Sequence, residues 1–267
     1  MIPANPSRMQ KAGLKGILMG VLALCAVSVM SVSAGADDSY MLKRVYKAGD
    51  VDKYKTVINV DGQGGAIKVD ITIVTTETVK DVKEDGTVTL ETVINSGTLS
   101  FGGNEMPLPG VNTTPVLTTF DKNGKPVEKP GAPKRDKSAA MMMSATRPSF
   151  APDKAMKIGD EWKFDNSKTA DAKTEPVARG VVTVVGLEKA GADVAVDTVK
   201  VKIVTDTTVP GDTPVKAHMD GNALIEPGTG KTLMATGTVT GLSLPQLGEA
   251  NMKFTRVRVK PDEKKEK

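Results

Sequence analysis

One cysteine, one histidine, one tryptophan and 3% aromatic residues stand in a chain of 267, and each scarcity removes a class of chemistry. The cysteine, Cys25, lies inside an apolar run near the N terminus. Once that run is cleaved off, no disulfide, thiolate metal site or thiol nucleophile remains, and the fold must be held by its core. The lone histidine, His218, excludes metal sites built on two or three imidazoles, and any serine triad except one through that residue. No G-x-S-x-G elbow, H-E-x-x-H pair or cofactor fingerprint occurs, so no cofactor and no catalytic residue is expected.

Arg8, Lys11 and Lys15 precede an apolar stretch over residues 16–32, followed by the small residues Ala34-Gly35-Ala36. This is the pattern of a secretory signal cleaved near Ala36, so residues 1–36 are read as a signal peptide and the protein as exported, periplasmic or extracellular. The rival reading is a retained anchor, the run being close to the minimum of about 17 residues for a spanning helix. Leu24 before Cys25 is not the small residue that a lipidation signal needs, which argues against a lipid anchor. Cleavage leaves 36 − 3 = 33 Lys and Arg against 32 Asp and Glu. Near-neutral charge and few stacking rings argue against a nucleic-acid partner.

What is abundant is valine and threonine, β-branched residues that fit a pleated sheet better than a helix. Apolar and polar side chains alternate along residues 87–94 and 193–203, the period of strands with one dry and one wet face. Turn pairs punctuate such runs: Asp61-Gly62, Asp85-Gly86, Asn123-Gly124, Pro210-Gly211, Asp220-Gly221 and Pro227-Gly228, with Gly191 alone. The expected class is all-β: antiparallel sheets in two related halves, forming a sandwich or open half-barrel.

The halves are suggested by a repeat. Lys47-Ala48-Gly49-Asp50-Val51-Asp52-Lys53-Tyr54 matches Lys157-Ile158-Gly159-Asp160-Glu161-Trp162-Lys163-Phe164 as K-x-G-D-x-x-K-aromatic. Residues 37–124 are accordingly taken as an N-terminal β half and 155–260 as a C-terminal one. Residues 125–154, rich in proline, read as a linker or long loop, and 261–267 as a charged tail.

Several motifs invite sharper readings. Pro227-Gly228-Thr229-Gly230-Lys231-Thr232 looks like the end of a phosphate-binding loop, but the chain has Ile225 where the first glycine belongs, and residues 233–241 are strand-like where a helix should begin. A hairpin turn, and no nucleotide, is expected. In Lys216-Ala217-His218-Met219-Asp220 the alternation places His218 on the wet face. Asp50 and Asp160, with Asp52 and Glu161 nearby, fall far short of a calcium loop, so no metal is expected and both aspartates read as turn residues. Tyr54, Trp162 and Phe164 read as core anchors. Met141-Met142-Met143 reads as an apolar plug from the linker. Together Met141, Met142, Met143, Trp162 and Tyr54 make a speculative ligand groove and gate.

At the repeated K-x-G-D-x-x-K-aromatic element and at residues 220–230, the chain resembles secreted bacterial β proteins of domain-of-unknown-function type. That resemblance implies an exported β fold and no particular activity. A looser likeness is to lipoprotein-carrier half-barrels, whose curved sheet holds acyl chains under helices for which this sequence shows no pattern. The first expectation is a non-catalytic exported module, structural or binding, whose partner is an envelope protein or an apolar small molecule. The alternatives are a carrier of a lipid-like ligand between the halves and a carboxylate-dependent hydrolase.

Overall fold

The computed structural model describes residues 38–108, 114–122, 124, 126–127, 152–167, 176–190, 196–210, 214–244 and 248–260. The segment read as a signal peptide, the methionine run and the charged tail lie outside the described residues. Among the described residues no helix is long and apolar enough to cross a membrane.

Among the described residues twelve strands form one antiparallel sheet. In chain order they are β1 Val51–Gly62, β2 Ile67–Val82, β3 Val88–Phe101, β4 Asn104–Pro107, β5 Val116–Phe120, β6 Pro126–Val127, β7 Glu161–Asp165, β8 Val177–Ala190, β9 Val196–Val209, β10 Val215–Ile225, β11 Thr232–Leu244 and β12 Gly248–Val259. Eleven run in the order β6-β5-β3-β2-β1-β12-β11-β10-β9-β8-β7, and β4 pairs with β3 beside β5. The sheet is open, since its two ends, β6 and β7, are not paired with each other. The strands of both halves share this one sheet, joined where β1 pairs with β12, from Lys53 opposite Val259 to Gly62 opposite Ala250. β6 carries the sheet two residues into the segment read as linker, with Phe120 opposite Pro126.

Alternation decides which side is dry. On β12, Ala250, Met252, Phe254 and Arg256 are buried while Asn251, Lys253 and Val257 are exposed. On β10, Ala217, Met219, Gly221 and Ala223 are buried while Lys216, His218 and Asp220 are exposed. Right-handed twist accumulating over so many strands coils a sheet, and here the inner face carries the main apolar cluster, from Trp162 and Val182 through Met219 and Phe254 to Ile58 and Val60. A smaller cluster of Val79, Val88 and Leu90, with Tyr46 and Phe120 against it, lies at the other end of β2.

Most turn expectations hold. Gly86 takes φ +83 in the β2–β3 hairpin, where Asp85 accepts from the Thr87 backbone N–H at 2.8 Å, which holds its carboxyl below the ordinary range. Gly124 takes φ +77 with its N–H on the Asp121 carbonyl. After Asp61-Gly62 the chain reverses through Gln63–Gly65. Gly191 and Gly211 lie outside the described residues, and Asp220-Gly221 corrects the sequence reading, because it lies inside β10. Gly221 sits opposite Gly237 on β11, and a Cβ there would come within 2.6 Å of the Thr236 carbonyl oxygen. The residue is small for close approach of two strands and not for a turn.

The two K-x-G-D elements make the same turn. Gly49 and Gly159 take φ +87 and +90. Gly49 N–H donates to Val79 O, Asp50 N–H to Lys47 O, and Val79 N–H to Asp50 O. Gly159, Asp160 and Val184 repeat these three bonds with Val184, Lys157 and Asp160. The Asp160 carboxylate also accepts from Lys157 N–H at 2.8 Å, the turn role expected of it.

Candidate functional site

Strand register aligns inner-face residues into two adjacent ladders that cross nearly the whole sheet. The first runs Trp162, Val182, Ile203, Gly221, Gly237, Phe254, Ile58, Ile71, Leu99, Met106, each directly opposite the next on the neighbouring strand. The second runs Phe164, Gly180, Thr205, Met219, Val239, Met252, Val60, Val69, Phe101. Both are apolar throughout except for the Trp162 indole N–H and the Thr205 hydroxyl.

Exposure changes along the ladders. At the β7–β9 end Trp162, Val182 and Ile203 are buried, as are Phe254 and Ile58 in the middle. Beyond β1 the same rows open: Ile71, Val69 and Leu99 are half-buried, and Phe101 and Met106 are 50% and 43% exposed. The core thus continues without a break into an apolar surface on β2, β3 and β4. Glycines shape the floor, since a Cβ on Gly180 would collide with the Phe164 ring and one on Gly237 with the Phe254 ring.

A belt of charge crosses the inner face beside the ladders, between the two apolar clusters. Asp52, 4% exposed, is paired through Oδ2 with Arg44 at 2.6 Å and through Oδ1 with Arg258 at 2.7 Å. Lys231 Nζ lies 3.4 Å from Asp50 and 3.9 Å from Asp52. Glu77, opposite Asp52 on β2, accepts from Arg256 at 2.9 Å. Arg256 also lies over the Tyr54 ring and Arg44 over Tyr46. Burial, with Asp52 and Glu77 close by, pushes the Tyr54 phenol up to about 12.

The two K-x-G-D turns frame this belt by contrast. At the shared spacing, Asp52 stands where the second copy has Trp162, and Glu77 opposite it stands where that copy has Val182. One turn launches a charged pair and the other an apolar one.

The belt also fixes the segment before β1. The phosphate-loop lookalike is the β10–β11 turn, in which Gly228 and Gly230 take φ +80 and +64. Its backbone binds residues 41–45 through Gly228 N–H to Met41 O at 3.0 Å and Val45 N–H to Thr229 O at 2.8 Å. Tyr40 bridges to Met156, Lys43 pairs with Asp153, and Leu42 and Met156 are fully buried. Lys231 is spent on carboxylates of this protein.

Trp162 therefore lies in the main core, while Tyr54 is buried in the belt and in neither apolar cluster, so the structure does not bring the two into one groove. Met141, Met142 and Met143 lie outside the described residues. His218 is on the wet face, with Nδ1 2.8 Å from Asp206. Among the described residues no group of three or more His, Asp or Glu is arranged to hold a metal ion. Sequence reasoning missed Arg44, Glu77, Arg256 and Arg258. The two last were legible, because they continue the buried parity of Met252 and Phe254 along β12.

No protein-family model matches the chain, and no curated protein matches it in sequence. Among solved structures it is similar to DynF from the dynemicin biosynthesis pathway of Micromonospora chersina, with 8% identity over 86% of this chain and 89% of that one and a TM-score of 0.24. At that score the likeness carries no functional argument.

Proposed function

We propose that the protein is an exported, non-catalytic β module of the periplasm or cell envelope that binds through its inner sheet face. The observation that carries this reading is the pair of apolar ladders opening at Phe101 and Met106. Contiguous apolar surface of this kind marks binding sites in proteins that otherwise cover it. Export is supported by the leader pattern of residues 1–36. A hydrolase is disfavoured by the belt, where Asp52 and Glu77 are each ion-paired to arginine and neither stands as the free acid that glycoside cleavage needs. His218 is exposed on the outer face and paired with Asp206.

Between the two kinds of occupant, the ladders favour an apolar small molecule over an envelope protein, which makes the protein a carrier. The accessible part of the apolar face lies on β2, β3 and β4, continuous with the buried core and shaped by side chains of one character. The test is the double variant Phe101→Ser/Met106→Ser, titrated alongside the parent with the fluorescent fatty-acid analogue 11-dansylaminoundecanoic acid. Binding by the parent, weakened tenfold or more in a variant of unchanged Tm, is expected. Equal binding by both would remove the open end from the site.

A further inference from the structure

The two K-x-G-D turns lead to the same irregularity. Val79 and Val184 each bond the turn of their own half through N–H and C=O, and each is followed by a β-bulge, between Val79 and Asp81 on β2 and between Val184 and Gly186 on β8. The bulged residue is Lys80 in the first half and Val185 in the second. Past the bulge the β2–β3 hairpin ends almost at once, with Asp81 opposite Thr89 and Val82 opposite Val88. The β8–β9 hairpin continues from Gly186 opposite Lys200 as far as Ala190 opposite Val196.

This extension lies on a free edge of the sheet. β7 pairs with residues 179–183 of β8 and the turn takes Val184, so among the described residues those from Val185 to Ala190 pair with β9 alone. Alternate residues of an unpaired antiparallel edge turn both N–H and C=O outward, a template for another chain. Folded proteins guard such edges with charge, a bulge or brevity. The first half uses all three, since Lys80 and Asp81 are exposed on an edge that ends at Val82. The second half keeps only the bulge. Val185 and Leu187 are 48% and 42% exposed, and a Cβ on Gly186 between them would meet open space. The charges further on, Glu188 and Lys189, are matched inside the hairpin by Lys200 at 3.0 Å and Asp197 at 3.9 Å.

We infer that the β8 edge from Val185 to Ala190 is a docking site for an extended segment of another protein, which adds to the sheet as one more strand. The occupant is a peptide with uncharged, apolar side chains at alternate positions. Backbone groups pair it to the edge, Val185 and Leu187 receive its side chains, and the matched charges of the hairpin select no charge in it. A second copy of this chain fits less well. Two such edges paired antiparallel about Glu188 or about Lys189 set like charges opposite each other, which is destabilising, and paired about Leu187 they set Lys189 against Val185. The edge belongs to the β7 end of the sheet, away from the apolar face on β2, β3 and β4, and its assignment is independent of what that face binds.

The probe is the fluorescein-labelled heptapeptide TVTVTVT-amide, titrated into the full protein by fluorescence anisotropy. Saturable binding is expected, with slowed amide hydrogen exchange at residues 185–190. Val185→Lys gives the second half the residue type that the first half carries at its bulge, and Val185→Lys/Leu187→Lys is expected to bind at least tenfold more weakly at unchanged Tm. The same peptide N-methylated at its three central amides keeps the side chains but loses the donors, and is expected not to bind. Absence of saturable binding, equal binding of the N-methylated peptide, or protection at β4 instead of residues 185–190 would overturn the inference. A dimer in sedimentation that Val185→Lys/Leu187→Lys abolishes would also overturn it, by giving the edge to a second copy.

Discussion

The Arg256 guanidinium carbon lies 3.9 Å from the centroid of the Tyr54 ring. The arginine is on β12 and the tyrosine on β1, the two strands that join the halves of the sheet. The same guanidinium donates to Glu77 on β2 at 2.9 Å, so one side chain links three strands through a cation–π contact and a largely buried ion pair.

Arg256→Met leaves Glu77 buried without this partner, and breaking a buried pair from one side costs about 3 kcal/mol. Replacing both partners with Met removes the stranded charge, so Arg256→Met/Glu77→Met is expected to recover most of that loss. Urea unfolding of the four proteins of the cycle measures it. Additive losses in the double variant would mean that the two side chains act independently.

Tyr54 gives the belt an alkaline signature. In the unfolded chain a tyrosine ionises near pH 10, whereas burial holds the native Tyr54 proton to about 12. Above pH 10 the unfolded state sheds a proton that the native state keeps. The stabilisation, fully present below pH 10, is therefore lost as pH rises toward 12, by about 2 to 3 kcal/mol. Tyr54→Phe is expected to flatten that part of the stability profile, and a profile parallel to the parent's would contradict the assignment.

Gly230 and Gly228 separate the cost of a left-handed backbone from that of a collision. Both have positive φ, but a Cβ on Gly228 meets open space while one on Gly230 would lie 2.3 Å from the Lys43 carbonyl oxygen. Gly228→Ala is expected to cost about 1 kcal/mol. Gly230→Ala should cost clearly more and loosen residues 40–46, seen as faster proteolysis of the segment before β1. Equal effects of the two changes would show that this segment is not held by the turn.

His218 and Asp206 form an exposed pair on the outer face, where such pairs contribute little. His218→Ala is expected to shift stability by less than about 0.5 kcal/mol and to leave ligand binding unchanged. A marked loss of binding would move the site to the outer face.

The fold class was legible because alternation survives in single strands: Thr198 to Ile203 on β9 and Lys216 to Asp220 on β10 show it without neighbours. Turn chemistry was legible where a positive φ was required, as at Gly49, Gly86 and Gly159. It misled at Gly221, where the same residue type serves close strand approach. The belt was hidden for a different reason. Glu77 and Arg256 are 179 residues apart, and their pairing depends on β1 joining β2 to β12, a long-range register that no local pattern carries. Trp162 was read as a core anchor and is one.

The central claim is that the inner face holds an apolar molecule. Native mass spectrometry of the protein, purified gently from a producing cell with an organic extract run in parallel, tests it most directly. The expected result is a stoichiometric adduct that the extract identifies as an apolar molecule, and that is depleted in Phe101→Ser/Met106→Ser. A clean apo mass with no extractable ligand would contradict it and leave the apolar ladders to an envelope protein.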